Sequence, residues 1–481
     1  MSALSGRRSR GGLAAALAAA AVLVAGCGGG EREPDLGTAT LAPIPANALV
    51  VLHLSTDTRR GPVRVAGKVA RRLPSWAGLQ RDLLRRVSAP GCGLDLGKRP
   101  GSELTFALLP ARGGASAPLL VTDAPAEGVG DVPGPCGSLV VRRLGDLTVV
   151  GEPASVLAAA AVVGGQATAL VATATYRRAV AGLPAARVLD AYASARGTRD
   201  LLAPLGGLYA TLAGLVDTPG LRAAAGALVP RDDGASLVMR RIADSDVRVP
   251  VFRSTLQDVA PADTLTYVAS GDLGPALERF LLLAEPGGSA PAPAVSRFTA
   301  LSRLGRESGT IVAPGQQGPV ITLLSRVAEP DRVRAAMTGL EADLATLVGA
   351  PGTATWIDAT PGGLRGRTLA DAPGRGFSWA IDGSTLIVST ALDGIGTIKA
   401  DGPRLGGTRA FRAVTGNTRN PITSLVFLDP NQLLRLGADT GLGPAGALEG
   451  SRRDLAKVRA IGVTTTGSSR ESTVDLSLWI P

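Results

Sequence analysis

The sequence predicts an α+β protein of two tandem, structurally related repeats, each a mostly antiparallel sheet with helices packed on one face. Three observations predict it. Residues 41–252 and 256–481 run through the same order of elements, and internal self-similarity is the first thing that decides an architecture. The strand-like runs come in pairs across Gly-rich turns, the mark of hairpins. Those hairpins alternate with helical stretches, and 45% apolar residues over 481 positions supply ample core.

Each repeat opens with a Pro-Ala-Asx turn into a strand, Pro45-Ala46-Asn47 before 48–52 and Pro261-Ala262-Asp263 before 264–268. A helix follows, expected over 63–87 in the first repeat and over 273–283 in the second. Next come paired strands, 104–109 with 118–122 and 310–313 with 319–324. Return strands follow, 145–150 and 383–388. Then each repeat gives a helix, a short segment marked Tyr176-Arg177 or Phe411-Arg412, a strand ending Leu189-Asp190 or Leu428-Asp429, and a further helix. A two-strand unit closes both, 236–242 with 248–252 and 461–466 with 473–479. The second repeat carries an extra helix over 331–348 and an extra strand near 355–358. The run 154–174 is apolar, but Gly164-Gly165-Gln166 and Thr168 within it, and Asp393 and Lys399 in its counterpart 391–400, make it a core helix and not a membrane span.

The start of the chain sets its address. Arg7, Arg8 and Arg10 precede an uncharged apolar run over 13–26, which ends in Val24-Ala25-Gly26-Cys27. A cationic start and an apolar stretch too short to cross ~30 Å of hydrocarbon describe a signal peptide over 1–26. The small residues before Cys27 describe a lipobox, so Cys27 is expected to be the lipidated first residue of the mature chain. Acyl chains such as palmitate on the thiol and on the new amino terminus give the two-chain anchoring that holds stably. Residues 27–44, rich in Gly, Pro and charge, read as a flexible stem. The domains are therefore 45–255 and 256–481, on the outer face of the cytoplasmic membrane.

The lipobox, the stem, the Pro-Ala-Asx openings and the Asp382-Gly383-Ser384-Thr385-Leu386-Ile387-Val388 hairpin resemble a family of uncharacterised exported lipoproteins of actinobacteria. The resemblance covers nearly all of the mature chain. It implies an address and a fold, and supplies no catalytic residues.

Charge and cysteine content narrow the partners. The net charge is +10, three of those charges leave with the leader, and only Lys68, Lys98, Lys399 and Lys457 among fifty basic residues are lysine. The basic residues concentrate in Arg59, Arg60, Arg64, Lys68, Arg71, Arg72, Arg81, Arg85 and Arg86, close behind the anchor. That stretch is either a contact for anionic phospholipid or wall polymer, or a solvated helix face. Aromatic residues make up 3% of the chain, and with an exported address they argue against nucleic acid. Cys92 and Cys136 form an isolated pair, most simply a disulfide in an oxidising compartment, with buried thiols or metal ligands as the alternatives.

Most reaction chemistries lack their residues. His53 is the one histidine, and no G-x-S-x-G occurs, which argues against a Ser-His-Asp hydrolase. Histidine- or cysteine-based zinc sites have no ligand set. The Gly-Lys pairs ending 61–68 and 91–98 have the wrong spacing for a phosphate loop. Asp232-Asp233-Gly234 reads as a turn and not a calcium loop. Carboxylate pairs for glycoside hydrolysis need only converge in space, and the candidates are Glu341 with Asp343, on different helix faces, and Asp190 with Asp429, which read as helix caps. No metal or cofactor is expected. The sequence thus points to a membrane-anchored envelope lipoprotein that binds or scaffolds without catalysis. The alternatives are a carrier of an apolar envelope lipid and a carboxylate-dependent hydrolase of envelope glycans.

Overall fold

Val50-Val51-Leu52-His53-Leu54-Ser55 presents apolar side chains at both alternating positions, and such a run is stable only where both faces of the strand are covered. It forms β1 (Val50–Ser55), buried at every position but Leu52. The same holds for β16 (Thr385–Ser389), buried throughout. The computed structural model describes residues 37–481 except 79, 82–92, 98–100, 112–114, 132, 203–216, 246–248, 275, 278–304, 316–317, 348–354, 371–376, 392–393, 417–419 and 440–451. The chain is mixed helix and strand, 28% and 39%, and it divides into two units.

The first unit comprises residues up to Val247 with Ser468–Asp475 and Ile480–Pro481. Its elements are β1, helix α1 (Gly61–Ala70), β2 (Glu103–Pro110), β3 (Ser116–Thr122), β4 (Gly134–Cys136), β5 (Leu139–Leu144), β6 (Leu147–Gly151), α2 (Pro153–Val163), α3 (Ala174–Val180), β7 (Leu189–Ser194), β8 (Leu221–Arg231) and β9 (Gly234–Ala243). The strands lie in the order β4-β5-β6-β3-β2-β1-β7-β8-β9, every pair antiparallel.

The second unit comprises Arg248–Gly467 with Leu476–Trp479. It contains β10 (Thr266–Ser270), β11 (Gly305–Ala313), β12 (Val320–Val327), α4 (Pro330–Leu347), β13 (Thr355–Ala359), β14 (Gly366–Ala370), β15 (Ser378–Asp382), β16, α5 (Gly394–Lys399), α6 (Arg409–Thr415), β17 (Ser424–Leu428), α7 (Pro430–Asp439), α8 (Arg452–Leu455) and β18 (Ala460–Gly467). Its strands lie in the order β13-β14-β15-β16-β12-β11-β10-β17-β18, again antiparallel. The last strand, β19 (Glu471–Trp479), is shared between the two sets of residues.

Helices cover both faces of each sheet, where one face was expected. In the first unit Val51, Val121, Val149 and Tyr192 pack under α2 and α3, while Leu52, Leu54 and Leu189 pack under α1. In the second, Tyr267, Ile311, Ile387 and Phe427 pack under α5 and α6, while Leu323, Trp379 and Val388 pack under α4. The cause is the doubly apolar central strands, whose second face has to be removed from water too.

Three further expectations change. The helix expected over 63–87 stops at Ala70, because Pro74 forbids helical continuation and restricts Leu73 before it; helix resumes at Trp76, and 82–92 lie outside the described residues. The run 154–174 is interrupted. Gly165 at φ 72° closes α2 in the left-handed turn that glycine adopts without steric cost, with Gln166 N–H donating to Ala161 O at 2.8 Å. Finally, the stem is shorter than 27–44. Leu41 and Ile44 are buried in the first unit's core, so chain packing begins by residue 41.

Candidate functional site

The one histidine sits at the centre of the first unit. In β1, His53 faces Thr105 of β2 on one side and Asp190 of β7 on the other, and cross-strand partners project to the same face of a sheet. Its exposure is 0%. Nε2 lies 3.5 Å from Glu103 Oε2 and Nδ1 lies 3.9 Å from Asp190 Oδ2, so the imidazole is held between two carboxylates by charge without a completed hydrogen bond. The network extends outward in both directions. Thr105 Oγ1 donates to Thr40 Oγ1 at 2.8 Å, and Thr40 Oγ1 donates to Glu103 Oε2 at 3.3 Å. On the other side Arg187 Nε donates to Asp190 Oδ1, and Arg60 Nη2 donates to Arg187 O at 3.1 Å.

Burial alone disfavours the imidazolium, but the Asp190 and Glu103 side chains outweigh it and raise the His53 pKa above 6.5. Reciprocally, burial pushes Glu103 upward, and the attraction of His53 together with hydrogen bonds from Thr40 more than cancels it, leaving Glu103 below 4.5. Tyr176 rings against Tyr192 at 5.3 Å nearby, and burial reinforced by Asp190 pushes its hydroxyl up to about 12. The entering chain touches this cluster: a Cβ on Gly37 would fall 1.4 Å from Glu103 Oε1, so a side chain there would displace the Glu103 carboxylate.

A second buried carboxylate organises the second unit. Glu307 accepts hydrogen bonds from Thr255 N–H at 2.8 Å, Leu256 N–H at 3.0 Å, Thr255 Oγ1 at 2.7 Å and Ser254 Oγ at 3.3 Å. These are the donors that the 3₁₀ turn Leu256–Asp258 leaves free at its start. Beside it Tyr267 is fully buried, and Gly309 makes the room, since a Cβ there would stand 2.8 Å from Tyr267 Cε2.

The candidate acids from sequence are placed as follows. Asp429 caps α7, accepting from Gln432 N–H at 3.0 Å. Asp190 does not cap a helix: β7 begins at Leu189 instead of ending there, so Asp190 faces His53 from mid-sheet. Ser194 takes the capping place, accepting from Gly197 N–H at 3.0 Å. Glu341 is buried and receives Arg367 Nε and Nη2, both at 3.1 Å. Arg367 also reaches Asp358 at 2.9 Å, and the two acids keep its guanidinium firmly protonated. The Asp343 side chain lies outside the described residues. Asp232-Asp233 forms the two-residue turn between β8 and β9. Residues 61–68, one of the Gly-Lys pairs, lie in α1. Among the described residues, no group of three or more His, Cys, Asp or Glu is placed to hold a metal ion.

The described residues of the basic stretch differ in their surroundings. Arg60 is buried and Arg59 is ion-paired to Asp57 at 3.0 Å. Arg64 donates to Arg59 O at 2.5 Å, Arg72 to Ile480 O at 2.5 Å and Arg81 to Ala77 O at 3.2 Å. Lys68 and Arg71 project into solvent. Arg85 and Arg86 lie outside the described residues, as do Cys27 and Cys92. The Cys92–Cys136 disulfide does too, because only the backbone of Cys136, in β4, is described.

A cleft of about 350 Å³ opens in the second unit between the β11–β12 hairpin and α5. Pro261, Ile311, Ala313, Pro314, Val320 and Ile398 form its apolar wall, with Thr322 and Thr397 contributing hydroxyls. That volume is at the lower end of small-molecule sites, which are typically apolar with a few polar groups.

Sequence reading missed Glu103, Arg187, Thr40 and Glu307. The register of β1 with β2 and β7 brings Glu103 and Asp190 to His53, while Thr40 comes from the 3₁₀ turn Ala39–Leu41 and Arg187 from the segment before β7, so no local motif marks them. No family model, curated protein or solved structure matches the chain.

Proposed function

We propose that the chain is a lipoprotein of the outer face of the cytoplasmic membrane, held by acyl chains on Cys27, that acts by binding a small apolar molecule or chain end. The observation that carries this reading is the apolar cleft at Ile311, Val320 and Ile398, whose lining, among the described residues, holds two hydroxyls and no ionisable group. The groups best suited to chemistry serve the fold instead: His53 bridges three strands, and Glu307 and Glu341 are saturated by donors.

The two units are, in this reading, tandem repeats of one ancestral module. Support comes from their strand orders, which match when β1 is set on β10 and β7 on β17. In that frame His53 corresponds to Ala269, Thr105 to Gly309, Glu103 to Glu307 and Asp190 to Leu425. The short helices agree as well. Thr173 accepts from Tyr176 N–H and Thr408 from Phe411 N–H, at 3.3 and 3.2 Å. The apolar cleft belongs to the second copy, and the charged cluster to the first.

Native mass spectrometry of the chain extracted from its own membranes tests the binding reading. The wild type is expected to carry an apolar adduct, and Thr397→Trp, an exposed position that fills the cleft, to reduce its occupancy about tenfold, the effect of losing ~1.4 kcal/mol of contact. Equal adduct on both proteins, or none on either, contradicts it.

A further inference from the structure

We propose that α2 is the face by which the anchored chain rests on the bilayer, its outer side chains Leu157 and Val163 entering the boundary between headgroups and acyl chains. The proposal rests on the anchoring of Cys27 argued above, and three observations point to a lipid surface as the occupant.

The first is composition. No charged residue occurs from Pro153 to Tyr176. Inside α2, Val156, Ala159 and Val162 pack on the sheet, which accounts for one face only. The outward face is apolar too, with Leu157 59% exposed between Ala154 and Ala161, and Val163, at the end of the helix, 55% exposed. A helix apolar on every side is suited to burial on every side.

The second is where the tether ends. Nine residues lie between Cys27 and Gly37, and at full extension the chain from one to the other spans at most ~35 Å. The chain then enters the fold against the segment that follows α2. Leu170 N–H donates to Ile44 O at 2.7 Å and Ala46 N–H to Thr168 O at 2.9 Å, while Leu41 and Ile44 share a core with Val156 and Ala159. The tether therefore enters on the α2 side of the sheet.

The third is charge. Arg177 and Arg178 end the uncharged run, both exposed, with Arg178 ion-paired to Glu471 at 2.7 Å, and Arg142 lies on β5 in register with Val149, on the face that α2 covers. Apolar insertion with flanking arginines suits a membrane containing anionic phospholipid. Lys68 and Arg71, by contrast, belong to the α1 side, across the sheet.

The test is photolabelling of the full-length lipidated chain on vesicles of phosphatidylethanolamine and phosphatidylglycerol that carry a diazirine on an acyl chain. The peptide containing Pro153–Val163 is expected to take the label. Leu157→Glu with Val163→Glu is expected to lower that labelling about tenfold or more, since each apolar group removed from lipid costs on the order of a factor of ten. Lys68→Glu with Arg71→Glu is expected to leave it unchanged. Because the wild-type labelling pattern decides the point without any variant, misfolding of a variant does not shield the proposal. A chain that floats with the vesicles but takes no label in α2 overturns the docking face alone. A chain that does not float overturns the anchor and the docking face together.

Discussion

Glu307→Ala is expected to lower the stability of the second unit by about 4 kcal/mol, because it strands buried Thr255 and Leu256 N–H groups that each cost ~1–3 kcal/mol when unpaired. Both donors open the 3₁₀ turn Leu256–Asp258, and Leu256 is itself core, so the loss passes from one carboxylate into the packing of Tyr267 and Phe411. Urea unfolding followed by tryptophan fluorescence reports it, since Trp356, Trp379 and Trp479 all belong to this unit. Glu307→Gln keeps one accepting oxygen and should fall between the variant and the wild type. A shift of less than ~1 kcal/mol for the alanine variant would mean that water replaces the carboxylate at no loss.

His53→Leu is expected to cost about 3 kcal/mol near pH 6, because removing one partner of a buried charge cluster leaves Glu103 without its counter-charge and Asp190 with Arg187 alone. The cost should depend on pH with a defined sign. The His53 pKa is raised by folding, so its contribution is fully present below 6.5 and is lost as pH rises through the folded value. The Glu103 pKa is lowered, so its contribution is present above 4.5 and is lost as pH falls through the folded value. The gap in melting temperature between wild type and variant is therefore widest between 4.5 and 6.5 and narrows on both sides. The Tyr176 and Tyr192 hydroxyls, both pushed up by burial, stay neutral across that window. A gap that does not change with pH would show that the imidazole is packed as a neutral ring.

Much of the order of elements was readable because its punctuation is local, but the strand pair that closes the first repeat is Leu221–Arg231 with Gly234–Ala243 and not 236–242 with 248–252. Pro45 and Pro261 each begin a turn, with Ala48 and Thr264 N–H donating back to them. Tyr176-Arg177 and Phe411-Arg412 each follow a capping threonine. The extra helix and strand of the second unit fell where their periodicity put them, at Pro330–Leu347 and Thr355–Ala359. The polar cluster was not readable, because His53, Glu103 and Asp190 stand on three strands and meet only through register. A one-residue slip turns every side chain to the other face, so placing Asp190 at a strand end hid its partner. The number of covered faces was lost for a related reason: the central strands are apolar at both parities, and a continuous apolar run does not say on which side its helices lie.

The account stands on the lipid at Cys27, and the most direct measurement is the intact mass of the mature chain extracted from native membranes, compared with Cys27→Ser. It predicts a chain that begins at Cys27 and carries acyl chains on that residue, with unprocessed or unlipidated protein in the variant. A mature chain that begins elsewhere and carries no acyl group would contradict the anchor and, with it, the approach of α2 to the membrane.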